Sequence, residues 1–231
     1  MNKKPNWKDF DHIDVWVFDL DNTLYPSHCD LFTQMDKKMG EFVSQYLQVE
    51  YDEAKKIQKE YFAEYGTTLS GLMHRHGMDP AAYLEYVHDL EIDHIEQDTK
   101  LESALDQLDG RKVIFTNASD AHARNISRQI GIDHHFDDIF DIHQSDFVPK
   151  PEMSVYEKFL KEFDIDPTKS VFFEDMAKNL KPAHELGMKT VWIPNTAHWS
   201  HEQSEGEHIH YVTDDLSTWL TDLVKDKPTK S

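Results

Sequence analysis

The sequence predicts an α/β protein: a Rossmann-like, doubly wound parallel sheet with a helical cap inserted after its first strand. Three observations carry that expectation. Short β-branched and aromatic runs, Val15-Trp16-Val17-Phe18, Lys112-Val113-Ile114-Phe115, Ser170-Val171-Phe172-Phe173 and Lys189-Thr190-Val191-Trp192-Ile193, read as buried strands. From Arg111 onward they alternate with helical segments, as in parallel sheets with helices on both faces. Between about Leu24 and Thr99 only helical signals appear.

The elements follow in order. The first strand is expected from about Ile13 to Asp19, and Tyr25-Pro26-Ser27 ends its pattern. Leu31, Phe32, Met35, Met39, Phe42, Val43, Tyr46 and Leu47 then recur at three- and four-residue steps, one apolar face of a long helix. Further helices are expected over Tyr51–Tyr65, Leu69–His76, Pro80–His88 and Thr99–Leu108, punctuated by Gly66, Gly71, Gly77 and Asp79-Pro80. After the second strand come a helix over about Ala121 to Ile130, a third strand over Asp138–Ile142, and a helix over Glu152–Phe163. The strand ending in Glu174-Asp175 leads to a helix from about Asn179 to Leu186. A last short strand is expected at His210–Val212, a helix near Leu216–Val224, and a loose polar tail from Lys225 to Ser231. The predicted division is an α/β core of residues 1–23 and 100–231 with a cap of residues 24–99.

Bulk properties narrow the partners. The 231 residues are ample for a core, and 39% hydrophobic and 12% aromatic content belongs to a globular protein. A net charge of -20 argues against nucleic acid or an anionic membrane as partner. A single cysteine, Cys29, allows no disulfide within the chain and suits a reducing compartment. Met1 to Phe10 is polar and basic, and no stretch reaches membrane-spanning length, so the expected location is cytoplasmic. A monomer or small homo-oligomer is expected.

Candidate chemistry collects at predicted strand ends. Asp19-Leu20-Asp21-Asn22-Thr23 follows the first strand, Thr116-Asn117 the second, and Glu174-Asp175 a later one; Lys150 lies in a Pro149-Lys150-Pro151 loop before a helix. A parallel sheet would converge these on one crevice. Hard carboxylate oxygens suit Mg²⁺. A hydroxyl, backbone N–H groups and an ammonium suit phosphoryl oxygens gaining charge.

This ordered set resembles the four motifs of the haloacid dehalogenase superfamily of phosphohydrolases, and the helical insert resembles that superfamily's C1-type cap. Asp19 through Pro26, Tyr65-Gly66-Thr67-Thr68-Leu69-Ser70-Gly71-Leu72, Val87-His88-Asp89 and Phe173 through Leu180 are similar to its pyrimidine 5'-nucleotidase branch. Asn179 departs from the wider pattern, where many members carry another aspartate. The resemblance implies a Mg²⁺-dependent phosphomonoesterase acting on a small phosphorylated metabolite, a pyrimidine nucleoside monophosphate such as UMP or CMP. It implies Asp19 as nucleophile and Asp21 as acid–base. The metal would be held by the carboxylates of Asp19 and Asp175 and the main-chain carbonyl of Asp21, with Glu174 or Asn179 holding its waters. Thr116, the Asn117 backbone and Lys150 would hold phosphoryl oxygens, and Thr67, Thr68 and His88 would face the substrate.

The same residues admit competing readings. Asp19, Asp21, Thr23 and Asp30 have partial EF-hand spacing, but the sixth position is Leu24 rather than glycine and a strand precedes it. Thr23 is expected to be a turn-stabilising hydroxyl. His198, His201, His208 and His210 fit no clean zinc pattern and read as a polar loop. Cys29 reads as a buried small residue, and the Met and Phe stripe of the first cap helix as packing. Other small phosphomonoesters, sugar phosphates or pyridoxal phosphate, and a phosphosugar mutase are alternative reactions on the same scaffold. A dehalogenase needs no leaving-group acid, so Asp21 argues against it. A non-catalytic phosphate-binding regulator would be signalled by loss of Asp19 or Asp175, and both are present.

Overall fold

The computed structural model describes residues 4–228. Met1–Lys3 and the last residues of the expected loose tail, Thr229–Ser231, lie outside the described residues. Among those described, β1 (Val15–Phe18) is followed by α1 (Leu31–Leu47), α2 (Tyr51–Tyr65), α3 (Thr68–His76), α4 (Pro80–Val87) and α5 (Thr99–Asp106). Then come β2 (Arg111–Phe115), α6 (Asp120–Gln129), β3 (Asp138–Phe140), α7 (Met153–Glu162), β4 (Ser170–Glu174), α8 (Ala177–Glu185), β5 (Lys189–Trp192), β6 (Tyr211–Val212) and α9 (Leu216–Lys225).

The six strands form one parallel sheet in the order β3-β2-β1-β4-β5-β6. The chain winds outward in both directions from β1, which pairs with β2 on one side and β4 on the other. The gap above β1 and β4 is therefore the topological switch point, where helices on the two faces diverge and leave a crevice at the carboxyl ends.

Both faces are covered, which explains why the strands are apolar throughout. Trp16, Phe18, Ile114, Phe173 and Val191 pack on one side with residues of α5, α6 and α9. Val15, Val17, Val113, Phe115 and Phe172 pack on the other with α7 and α8. The Phe18 and Phe173 rings stack across adjacent strands at 4.7 Å and 8°, and Trp219 of α9 meets Phe173 edge-on at 5.6 Å. Gly110 permits the tight entry to β2. Its φ is +95°, and a Cβ there would lie 2.3 Å from the Asp14 carbonyl oxygen.

A third cluster belongs to the helices that follow β1. Met35, Val43, Ala54, Tyr61, Leu72, Tyr83 and Val87 bury one another, joined by Ile142 from beyond β3. Leu24, Tyr25, Leu31 and Ile95 instead join the cluster on the sheet. The helices thus make a second small core above the crevice. No helix among the described residues is long and apolar enough to cross a membrane.

Two expectations are corrected. The third strand stops at Phe140 rather than Ile142, because the Asp141 carboxylate accepts the His143, Gln144 and Asp120 backbone N–H groups and turns the chain. The tail begins later than Lys225, since α9 runs through that residue with Asp226 as its cap.

Phe173→Ala should lower the unfolding free energy by about 3–5 kcal/mol, because it removes a fully buried ring that contacts Phe18, Trp16 and Trp219. Urea denaturation followed by tryptophan fluorescence measures it, and a loss under about 1 kcal/mol contradicts this packing account.

Candidate active site

Asp19 is the first residue beyond β1, and its N–H still bonds to the Phe173 carbonyl at 2.9 Å. That bond carries the β1–β4 pairing to the crevice. Glu174 ends β4 and Asp175 follows it. The switch point therefore brings three buried carboxylates together: ligand oxygens of Asp19, Glu174 and Asp175 all lie within 4.8 Å of one another.

Lys150 enters from the loop before α7 and is 2% exposed. Its Nζ donates to Asp19 Oδ1 at 2.8 Å, to Glu174 Oε2 at 2.7 Å and to the Phe115 carbonyl at 2.8 Å. All three ammonium protons are used. The loop is held in turn by Asn117, whose Oδ1 accepts the Lys150 N–H at 2.9 Å. Thr116 is buried with its Oγ1 accepting the Ala118 N–H at 3.0 Å.

Burial disfavours the charged form of acids, and like charge adds to it. Burial and then the Glu174 charge push Asp19 up to about 8, against the pull of Lys150. Burial, Glu174 and Asp19 likewise raise Asp175 well above the usual carboxylate range. Burial alone would lower Lys150, but Asp19 and Glu174 hold it above the ordinary lysine value.

Asp21 lives in a different environment. Burial would raise its carboxyl, yet the charge and hydrogen bond of His122 and the hydroxyl of Tyr25 bring it below its usual value. Its Oδ1 accepts the Tyr25 O–H at 2.6 Å and lies 3.0 Å from His122 Nε2. His122 stacks on His88 at 4.3 Å and 16°, and His88 Nδ1 lies 3.0 Å from the Ser119 hydroxyl. Burial and His122 depress His88 to about 3, so it is neutral near pH 7.

The site opens into a cavity of about 320 Å³ between the sheet edge and the helices. Asp19, Asp21, Thr116, Asn117, Lys150, Glu174 and Asp175 line its floor. Phe32, Met35, Met39, Phe62, Leu84, Val87 and Trp199 form much of its wall, with Phe32 and Trp199 packed at 5.0 Å.

A family model, haloacid dehalogenase-like hydrolase, matches residues 13–187, which include every residue on that floor. The chain belongs to this family. Phosphate metabolism protein 8 of Saccharomyces cerevisiae is 28% identical over 193 residues, covering 77% of this chain; the chain spans 60% of that relative's length. CbbY from Rhodobacter sphaeroides, bound to xylulose-(1,5)bisphosphate, matches 89% of this chain and 95% of its own at a TM-score of 0.62 and 18% identity. L-2-haloacid dehalogenase from Xanthobacter autotrophicus matches 92% of this chain and 97% of its own at 0.55 and 13%. At these identities the solved structures establish a shared haloacid dehalogenase-like fold.

The donor set fits a divalent cation. Three carboxylates face one ammonium, and Asp19 and Asp175 are pushed toward protonation by burial and then by like charge, which a cation would relieve. The buried Oδ1 atoms of Asn22 and Asn179, on the cavity lining, have no hydrogen-bond partner. Asp175 is braced by Asn195, whose Nδ2 donates to its Oδ2 at 2.8 Å, and by Trp192 and Ser200 on its carbonyl.

Asp19, Asp21, Asn22, Thr116, Asn117, Lys150, Glu174 and Asp175 meet around one cavity, and Thr67, Thr68 and His88 line it too, whereas Thr23 does not. The two threonine hydroxyls are engaged locally. Thr67 Oγ1 caps α3 by accepting the Ser70 N–H at 3.0 Å, and Thr68 donates to the Gln58 carbonyl at 3.3 Å. One reading is extended and one overturned. The Met and Phe stripe of α1 packs in the helical core through Met35, Met39 and Phe42, as expected, and Phe32, Met35 and Met39 also line the cavity. Thr23 does not anchor its turn through its hydroxyl: Oγ1 is buried with no partner.

Sequence reasoning missed the partners of Asp21 and Asp175. His122 carried a signal: with Ala123, Ile126 and Ser127 it lies on the buried face of α6, a polar ring on a core-facing stripe just past Thr116-Asn117. Tyr25, four residues beyond Asp21, reads in the sequence only as the end of the strand pattern. Asn195 had no local signal.

Lys150→Ala should cost about 3–5 kcal/mol at neutral pH in the chelated protein, since it leaves buried carboxylates without their cation. Asp19 has a raised folded pKa, so its stabilising contribution is complete below about pH 4 and lost as pH rises through about 8. Removing Lys150 raises that pKa further. Both proteins therefore lose this contribution in parallel up to about pH 8, so the penalty should be level from about pH 5 to 7 and grow above about pH 8 in denaturation curves; a penalty that stays level through that rise contradicts the charge account.

Proposed function

We propose that this protein is a Mg²⁺-dependent phosphomonoesterase working through an aspartyl-phosphate on Asp19, of the pyrimidine 5'-nucleotidase type with a C1-type helical cap. The observation that carries the proposal is the contrast between two aspartates on one cavity floor. Asp19 sits among carboxylates beside Lys150, while Asp21, two residues on, has its own hydrogen-bonded partners.

Asp19 attacks phosphorus, forming an Asp19 O–P bond as the ester P–O bond breaks. Asp21, in its protonated form, gives its proton to the leaving oxygen. Water then attacks phosphorus, Asp21 takes a proton from it, the Asp19 O–P bond breaks and inorganic phosphate leaves. The lowered pKa of Asp21 favours that second half, in which the carboxylate acts as base. Tyr25 and His122 occupy its Oδ1 and so fix the carboxyl's orientation. Asp19 and Asp175, with the Asp21 carbonyl, would hold Mg²⁺, and Glu174 or Asn179 its waters. The ion would supply charge neutralisation at the phosphoryl oxygens. Thr116, the Asn117 backbone and the Lys150 charge would hold those oxygens in place.

The cavity wall supports an aromatic leaving group. Gln58 is committed to Asp36, the Thr67 hydroxyl accepts the Ser70 N–H and the Thr68 hydroxyl donates to the Gln58 carbonyl, so these polar side chains are engaged within the helices. Phe32, Phe62 and Trp199 suit the flat face of a base better than a polyhydroxylated sugar. The same feature favours one second reading, an aromatic phosphomonoester such as pyridoxal phosphate. The proton-donating position of Asp21 in the cavity favours ester cleavage over dehalogenation. The yeast relative's name, phosphate metabolism protein 8, is consistent with release of phosphate.

Asp19→Asn should lower kcat by at least about 10³-fold while the melting temperature is kept, because an amide of the same shape replaces a carboxyl already pushed toward the neutral form and its oxygen can still accept from Lys150. Near-normal turnover rules out Asp19 as nucleophile. EDTA should stop phosphate release and excess Mg²⁺ restore it; activity indifferent to chelation removes the metal from the scheme. The deciding experiment is phosphate release from a panel of UMP, CMP, purine nucleoside monophosphates, pyridoxal phosphate and sugar phosphates. Pyrimidine nucleotides should give the highest kcat/KM, and a preference for sugar phosphates overturns the substrate assignment.

A further inference from the structure

A second group of ligand-type side chains lies at the opposite end of the sheet. The turn Asp133–His135 joins the end of α6 to the start of β3, which places it at the amino edge of the strands. There His134 and His135 face Glu102 from the first turn of α5. His134 Nε2 and His135 Nε2 lie 3.7 and 3.6 Å from the same Glu102 oxygen, Oε1. The two rings stand 4.1 Å apart at 38°. One ligand atom from each of the three residues lies within 4.8 Å of the others.

The decisive atom is His135 Nε2. It is buried and has no hydrogen-bond partner, and its side chain is only 9% exposed. A separation of 3.6 Å from the carboxylate is too long for a hydrogen bond. A buried imidazole nitrogen left unpaired is unfavourable, and the atom points at two other potential ligands. Around a tetrahedral ion with bonds of about 2.0–2.1 Å, ligand atoms stand about 3.3 Å apart. The two histidine-to-carboxylate distances therefore need to shorten by less than about half an ångström. Burial, reinforced by His134, holds His135 below the usual imidazole value despite Glu102, so the neutral form that binds metals is present at pH 7.

We propose that Glu102, His134 and His135 form a binding site for a late first-row divalent ion of the zinc type. Two imidazole nitrogens and one carboxylate oxygen are a borderline donor set, suited to Zn²⁺ rather than to Mg²⁺, which takes oxygen ligands. His134 is 60% exposed, so the fourth position opens to water. The site is separate from the carboxylate cluster at the carboxyl edge of the sheet. Its physical effect is to tie α5 to the turn that leads into β3, and binding to the folded chain alone raises stability by mass action.

The test is calorimetric titration of chelator-stripped full-length protein with Zn²⁺ in saturating Mg²⁺, with melting curves alongside. One equivalent should bind and raise the melting temperature. His134→Ala, at an exposed position that the fold tolerates, and Glu102→Gln should each weaken binding at least about tenfold and abolish most of the thermal shift. His135→Ala should do the same, and if it folds poorly the other two variants carry the result. Asp175→Asn should leave Zn²⁺ affinity unchanged. No binding by the wild type overturns the proposal. So does binding that survives His134→Ala and Glu102→Gln, or binding that is lost in Asp175→Asn, which would place the ion at the carboxylate cluster.

Discussion

The structure depends on one buried contact set, the Lys150 ammonium shared by Asp19, Glu174 and the Phe115 carbonyl. Three strands and a loop meet at that nitrogen: β1 through Asp19, β2 through Phe115 and β4 through Glu174. A cation buried without partners, or carboxylates buried without a cation, would carry a penalty of several kcal/mol each. The arrangement is tolerable only because the parallel register delivers all the acceptors to one point. It still leaves three carboxylates facing one ammonium, a donor set that fits a divalent cation.

The two aspartates of the first loop differ in their protonation tendency because their neighbours differ. Asp19 sees Glu174 and a dry environment, and its carboxyl is pushed toward the neutral form. Asp21 sees His122 and Tyr25 and is drawn toward the ionised form. Residues of identical chemistry, two positions apart, thus acquire opposite tendencies. His88, held neutral by burial, stacks on His122 and continues this polar chain from the sheet side to the end of α4. The helices above the floor contribute mostly apolar surface to the cavity.

Much of this was legible in the sequence where the signal is local. The α2 helix spans Tyr51–Tyr65 as periodicity predicts, and the strands β1, β2, β4 and β5 fall within a residue or two of the apolar runs. Burial on both faces makes those runs unambiguous. β3 ends two residues before the apolar run does, because the turn amides gathered by Asp141 stop the strand where Ile142 would continue the pattern. The stripe of α1 showed that one face was apolar but not what covers it. Asn195, twenty residues past Asp175, gave no hint because its role arises from a chance of chain direction after β5.

By itself the sequence determined the alternation of strands and helices, the parallel sheet this alternation implies, and the residues standing at the strand ends. Those follow from periodicity and from the rule that strand ends carry chemistry. Only the tertiary structure decided that β1 and β4 are neighbours, that Lys150 spends all its protons on the carboxylates and Phe115, and that His122 and Tyr25 attend Asp21. It also decided that His134 and His135 meet Glu102 across more than thirty residues. Contacts between distant segments depend on how layers stack, and one-dimensional periodicity records which face is buried without recording what lies against it.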